Sequence, residues 1–171
     1  PYYSIHPWVH LKRGEVKPFL KAYYNGAAGL ADRETYTFWE HYWHASPHKT
    51  HEEGWFLMQT RWMLWMEEGR ALKLLPGIPR KWLEHGNVIE LNEVATYFGP
   101  VSLHVESDAA HGVIKGYITC RSDRKPETIW IRLPHPEGAI PAQTIGGAYL
   151  EAQEAIRIDG FDGHAEITLK F

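Results

Sequence analysis

Glu40 stands between indoles and imidazoles in the run Thr37-Phe38-Trp39-Glu40-His41-Tyr42-Trp43. A polar run, Ser46-Pro47-His48-Lys49-Thr50-His51-Glu52-Glu53, follows shortly after it. A carboxylate ringed by flat apolar side chains suits a site that binds a sugar and moves a proton. Partial desolvation raises the pKa of such a group and fits it for general acid or base work. Trp39, Trp43 and Trp8 have the flat faces that stack on the apolar side of a pyranose, with core packing as the plainer alternative. His41 and His51 can hydrogen-bond sugar hydroxyls. Glycoside hydrolysis needs two carboxylates flanking the scissile bond. Asp32, Glu34, Glu52 and Glu53 are the candidates for the second, and plainer roles are open to them. Asp32 can cap a loop, and Glu53 can complete a capping box with Thr50. Glu40 too could be satisfied by a buried Arg or by N–H groups at a helix start.

His41, His44, His48 and His51 resemble a metal cluster only in spacing. Pro47 interrupts the run, so a helix cannot hold these rings on one face, and no zinc motif is present. Cys120 is the single cysteine, which excludes an internal disulfide and a Cys-based metal site. It ends an apolar run and reads as a small buried hydrophobe. No metal and no other cofactor is expected. Neither a glycine-rich phosphate loop nor a Gly-x-Ser-x-Gly elbow appears.

With 171 residues the chain makes one large domain or two small ones, and 44% hydrophobic residues with eight Trp supply a core. A net charge of −3 and a pI near 6.4 argue against nucleic-acid or anionic-membrane partners. No apolar stretch is long enough to span a membrane as a helix. No signal-peptide pattern is seen. The chain opens at Pro1 with an aromatic run, which points to a piece of a longer protein; Met removal before Pro is the alternative.

The halves of the chain differ in kind. Residues 1–69 have helical spacing. Val16, Phe19, Leu20, Tyr23, Tyr24, Ala27 and Leu30 predict a helix from Glu15 to Leu30, with Pro18 in its first turn. A second helix is predicted from Thr50 through Trp55, Phe56, Trp62 and Met66, stopping near Gly69. That helix is apolar nearly all round and belongs inside a helical assembly, so partner helices are missing. Residues 70–171 alternate as strands, with turn signals at short intervals, among them Asn92-Glu93, His111-Gly112 and Asp162-Gly163. The fold class predicted is α+β, a helical segment followed by an antiparallel β-sandwich.

The segments Thr37 to Trp43, His51 with Gly54-Trp55-Phe56 to Trp65, Leu74 to Leu83, and Tyr97-Phe98-Gly99-Pro100-Val101 carry a resemblance. Together they resemble the end of the catalytic domain in six-hairpin, (α/α)6-barrel glycosidases of bacteria, nearest the α-L-rhamnosidase branch. The resemblance implies that residues 1–69 are the terminal helices of the barrel and 70–171 the sandwich that follows it. It implies Glu40 as the general base of an inverting mechanism, with Trp39, Trp43 and His51 lining the sugar site. The general acid of such enzymes lies in an earlier segment, so this chain alone would be inactive. The partners implied are a carbohydrate substrate and the remainder of the barrel, with self-association through the apolar helix. The family suggests a secreted or periplasmic location. The insert Ser46 to Thr50 and the Glu52-Glu53 pair depart from the rhamnosidase pattern and leave the sugar open. The rival reading is a non-catalytic module that binds carbohydrate or protein through the sandwich, capped by helices. Trp130, Tyr117 and Tyr149 are its aromatic candidates.

Overall fold

Two glycines in left-handed conformation, Gly14 and Gly69, mark two turns of the chain. Gly14 (φ 72°) separates helix α1, His6–Lys12, from helix α2, Val16–Leu30. His10 and Arg13 both reach the Glu15 carboxylate, at 2.6 and 2.9 Å, and fasten this turn. Gly69 (φ 60°) sits in a tight hairpin further on. The computed structural model describes residues 6–41 and 44–171, so Tyr42 and Trp43 lie outside the described residues.

The chain divides into two units, Pro1–Leu64 with Pro76–Ile78, and Trp65–Leu75 with Pro79–Phe171. In the first, α2 is followed by a ribbon of two short strands, β1 (Ala31–Asp32) and β2 (Thr37–Phe38). Asp32 shapes its turn by accepting from the Glu34 N–H and the Thr35 hydroxyl. Helix α3 then runs Thr50–Leu64. An aromatic column joins these elements: Phe19 to Tyr23, Tyr23 stacked on Phe56 at 5.2 Å, and Phe56 to Phe38 at 4.9 Å. Tyr23 is buried, and its hydroxyl shares a 2.8 Å hydrogen bond with Thr60. Gly77 closes the packing, with its N–H on the Met63 carbonyl.

Helix α3 is shorter than its sequence predicts. It stops at Leu64, because Trp65–Glu68 leaves the helix as strand β3 and pairs with β4, Ala71–Leu74. Gly69 therefore turns a hairpin rather than capping a helix. The first turn differs as well: the Glu52 and Glu53 N–H groups donate to the Lys49 carbonyl, so the helix is entered from Lys49, one residue before Thr50.

The second unit is a β-sandwich of two five-stranded sheets. One has the order β10-β11-β8-β4-β3, with β8 at Thr128–Arg132, β10 at Ala148–Leu150 and β11 at Ala155–Asp159. It is antiparallel except for the β4–β8 pair. The other is antiparallel throughout, in the order β5-β6-β7-β12-β9. Its strands are β5 (Val88–Thr96), β6 (Gly99–Asp108), β7 (Val113–Cys120), β9 (Gln143–Ile145) and β12 (His164–Lys170). Leu72, Leu74, Ile129, Ile131 and Ile156 of the first sheet are fully buried, as are Leu103, Val105, Ile114, Ile118 and Leu169 of the second. Asn92-Glu93, a turn signal in sequence, is instead a bulge inside β5, where Glu93 (φ 49°) donates its N–H to the Ser102 hydroxyl. Arg80 and buried Arg132 converge on Glu154, and burial pulls the Arg132 pKa down despite this partner.

Gly77→Ala tests the close packing of the helical unit. Its Cβ would lie 2.7 Å from the Phe19 ring and 3.1 Å from the Met63 backbone. The expected loss is about 1–3 kcal/mol of stability, read from urea unfolding; an unchanged midpoint would mean that Phe19 moves aside at no cost.

Candidate functional site

The ribbon β1–β2 delivers Trp39 and Glu40 to the mouth of a closed loop. Trp39 donates its N–H to the Leu30 carbonyl. Glu40 donates to Ser46 and accepts from Ala45, making an isolated bridge across the loop. The Lys49 N–H then returns to the Phe38 carbonyl, so the loop ends where it began. Four of the seven described non-glycine residues with positive φ fall here or just before: Tyr36, His41, His44 and His48. Each left-handed residue of this kind costs about 1 kcal/mol or more, and such strain gathers at functional sites.

Glu40 is half-buried, with 23% of its side chain exposed. Its Oε2 lies 2.9 Å from the Lys49 ammonium and its Oε1 3.8 Å from His41 Nε2. The hydrogen bond from Lys49 holds the carboxyl below the ordinary glutamate value of 4.5, against the opposing effect of burial. The charges of Lys49, His41 and His51 add to the lowering. The neighbours in sequence suggest a raised pKa; the structure reverses this because Lys49, nine residues on, folds back onto the carboxylate.

The other predicted residues separate into distinct places. Trp39 stacks on His44 at 4.9 Å and 15°, and His44 Nε2 also meets the Gly29 carbonyl. His51 sits in the first turn of α3, with Nε2 3.5 Å from a Glu52 oxygen. His48 is exposed. Trp8 is not part of this cluster: it lies on α1 against Trp62, with the Lys12 ammonium 5.5 Å over its ring. Trp62 is about 16 Å along α3 from His51.

Among the second-carboxylate candidates, Asp32 is consumed by its turn, whose hydrogen bonds hold its pKa below 3.8. Glu34 is exposed and Glu53 half-buried. Glu52 is 4% exposed and borders a cavity of about 20 Å³ with Phe38, Phe56 and Gln59. That volume holds one water and no sugar ring. Sequence reasoning passed over Lys49 as a partner for Glu40. The available signal was Pro47, a residue that turns the chain back between them.

On the sandwich, Glu93, Pro100, Ser102, Thr119, Arg121, Ser122 and Asp123 line an open cleft of about 460 Å³ that has no aromatic wall. Trp130, Tyr117 and Tyr149 do not share a face. Trp130 is opposite Arg157, whereas Tyr149 is opposite Ile156 on the other face of the same sheet. Tyr117 lies on the second sheet, stacked on His104 at 5.3 Å.

No family model, no curated protein and no solved structure matches this chain.

Lys49→Met keeps the stem and removes the charge. In that variant the Glu40 carboxyl is expected to titrate closer to 4.5 than in the wild type, by carbonyl NMR. The sign for stability follows: a depressed carboxyl stabilises above its unfolded value and loses this contribution as pH falls through the folded one. The wild type thus loses a contribution below about pH 4.5 that Lys49→Met lacks. Identical titrations would remove Lys49 from the site.

Proposed function

We propose that this chain is the C-terminal part of an inverting glycoside hydrolase of the six-hairpin, α-L-rhamnosidase-like kind, with Glu40 as general base. In this reading the helical unit is the end of an (α/α)6 barrel, and earlier helices supply the general acid. The observation that carries it is Glu40, a half-buried carboxylate whose pKa Lys49 holds down, with His41 Nε2 3.8 Å away. A base must be ionised before it can act, and the ion pair extends the pH range in which Glu40 is ionised toward acid. The lowered pKa makes it a weaker base, and the acidic limb of kcat/KM then falls below the ordinary 4.5.

In the reaction a water lies between Glu40 and the anomeric carbon. Glu40 accepts its proton as the oxygen attacks, while the partner acid protonates the departing oxygen from the opposite face. The carboxyls of an inverting pair stand about 6.5–9.5 Å apart. One face of Trp39 is taken by His44, so a sugar would stack on the other. In this reading His41 and His51 would bond its hydroxyls, and His41 Nε2 lies 3.8 Å from Glu40. Further helices would complete the pocket, since the cavity beside Glu52 is too small for a pyranose. On α3, Leu57 is 69% exposed and Met58 38%, and the missing helices would cover them. The rival module reading has less support, because its three aromatic residues fall on different faces and sheets.

The test is hydrolysis of a panel of aryl glycosides, α-L-rhamnoside included, by the parent enzyme. Glu40→Gln is expected to lower turnover about 10²–10⁴-fold, with the fold kept and only the small stability of the Lys49 ion pair lost. Wild-type turnover in that variant would remove Glu40 from the mechanism.

A further inference from the structure

Two imidazoles and a carboxylate from separate segments of the sandwich meet at one point. His85 Nδ1 lies 3.0 Å and His111 Nδ1 2.6 Å from the same oxygen of Asp108. The two rings stand edge-on, 5.6 Å apart at 82°. The ligand atoms of all three residues fall within 4.8 Å of one another. We propose that His85, Asp108 and His111 bind a divalent transition-metal ion, zinc above all, as a surface site on the sandwich. This goes beyond the expectation of no metal and is independent of any role for Glu40.

The donor set selects the ion. Imidazole nitrogen with one carboxylate oxygen suits Zn²⁺, whereas Ca²⁺ and Mg²⁺ take oxygen ligands. Ligand atoms around tetrahedral zinc stand about 3.3 Å apart, so from 3.0 and 2.6 Å Asp108 must retreat by about 0.3 Å from His85 and about 0.7 Å from His111, and side-chain rotation sets the imidazole spacing. All three side chains are 49–75% exposed and free to do so. Without an ion each ring can donate its Nδ1 proton to Asp108. On binding, each imidazole carries its proton on Nε2 instead, and both Nδ1 lone pairs and the carboxylate oxygen face the metal. Three protein ligands leave an outward position for water.

The backbone under the ligands is fixed in advance. Gly86 donates to the Ser107 carbonyl, Ser107 donates back to Asn87, and the buried Ser107 hydroxyl holds the Leu83 carbonyl. These bonds lock the segment carrying His85 beside the end of β6, where Asp108 sits. His111 precedes Gly112 (φ 71°), whose carbonyl accepts from Phe171 and whose missing side chain makes room for the Phe171 carbonyl. Three ligands on a braced frame lose little freedom on binding. The Asp108-x-x-His111 spacing was legible in sequence; its convergence with His85 was not.

Isothermal titration of the full chain with ZnCl₂ tests this, with Co²⁺ absorbance as a check on geometry. One ion per chain is expected. His85→Ala, His111→Ala and Asp108→Asn should each weaken binding by at least ~100-fold, more than loss of an outer partner costs. At free zinc 100 times its Kd, the unfolding equilibrium of the wild type should fall ~100-fold. Far-UV circular dichroism checks that the variants fold, and His111→Gln stands in if one fails. Absence of binding at millimolar zinc would overturn the proposal. So would binding that these variants leave intact, or that is lost only when His41, His44, His48 and His51 are replaced.

Discussion

Lys49 holds the polar end of the helical unit together in three ways at once. Its N–H closes the loop onto Phe38, its carbonyl receives the Glu52 and Glu53 N–H groups that begin α3, and its ammonium lies 2.9 Å from Glu40. The loop it closes contains three histidines in left-handed conformation, each a cost that regular structure would avoid. The Glu40–Ser46 bridge and the Lys49 bond close the loop around His41, His44 and His48 and hold that conformation. The electrostatics follow from the same residue. Burial alone would raise the pKa of Glu40; the ammonium prevails and keeps the carboxylate charged.

The sandwich solves a different problem. Its two sheets bury aliphatic faces against each other and leave the connections between strands to carry polar groups. Where those connections are tied by backbone bonds, as between Gly86 and Ser107 or Gly112 and Phe171, the backbone positions that carry rim side chains are fixed while the side chains stay exposed. His85, Asp108 and His111 meet for this reason.

The fold was largely legible, and the reasons are local. Helix α2 has one apolar stripe and a proline where the first turn tolerates it, and β8 and β12 alternate cleanly. What misled were residues that serve two structures equally well. Trp65 and Met66 continue an apolar run that reads as helix, yet they pair as strand β3, because β4 offers a partner directly after the two-residue turn Gly69-Arg70. Gly69 permits either a helix cap or a hairpin. The short strands β9 and β10 lacked any alternating pattern long enough to notice. At the site, Glu40 and its aromatic neighbours were visible as types, whereas the ion pair with Lys49 depends on a chain reversal. The stack of His44 on Trp39 depends on the same reversal. The separation of Trp8 from that cluster came from helix packing, which the sequence of α1 alone does not specify.

Azide rescue in the full-length glycosidase proposed above tests the central claim most directly. With Glu40→Ala, azide needs no base and can replace the activated water. The account expects azide to restore turnover of an activated aryl glycoside and to yield the glycosyl azide of inverted configuration, with no such effect on the wild type. No rescue, or a product of retained configuration, would contradict Glu40 as the base that activates water.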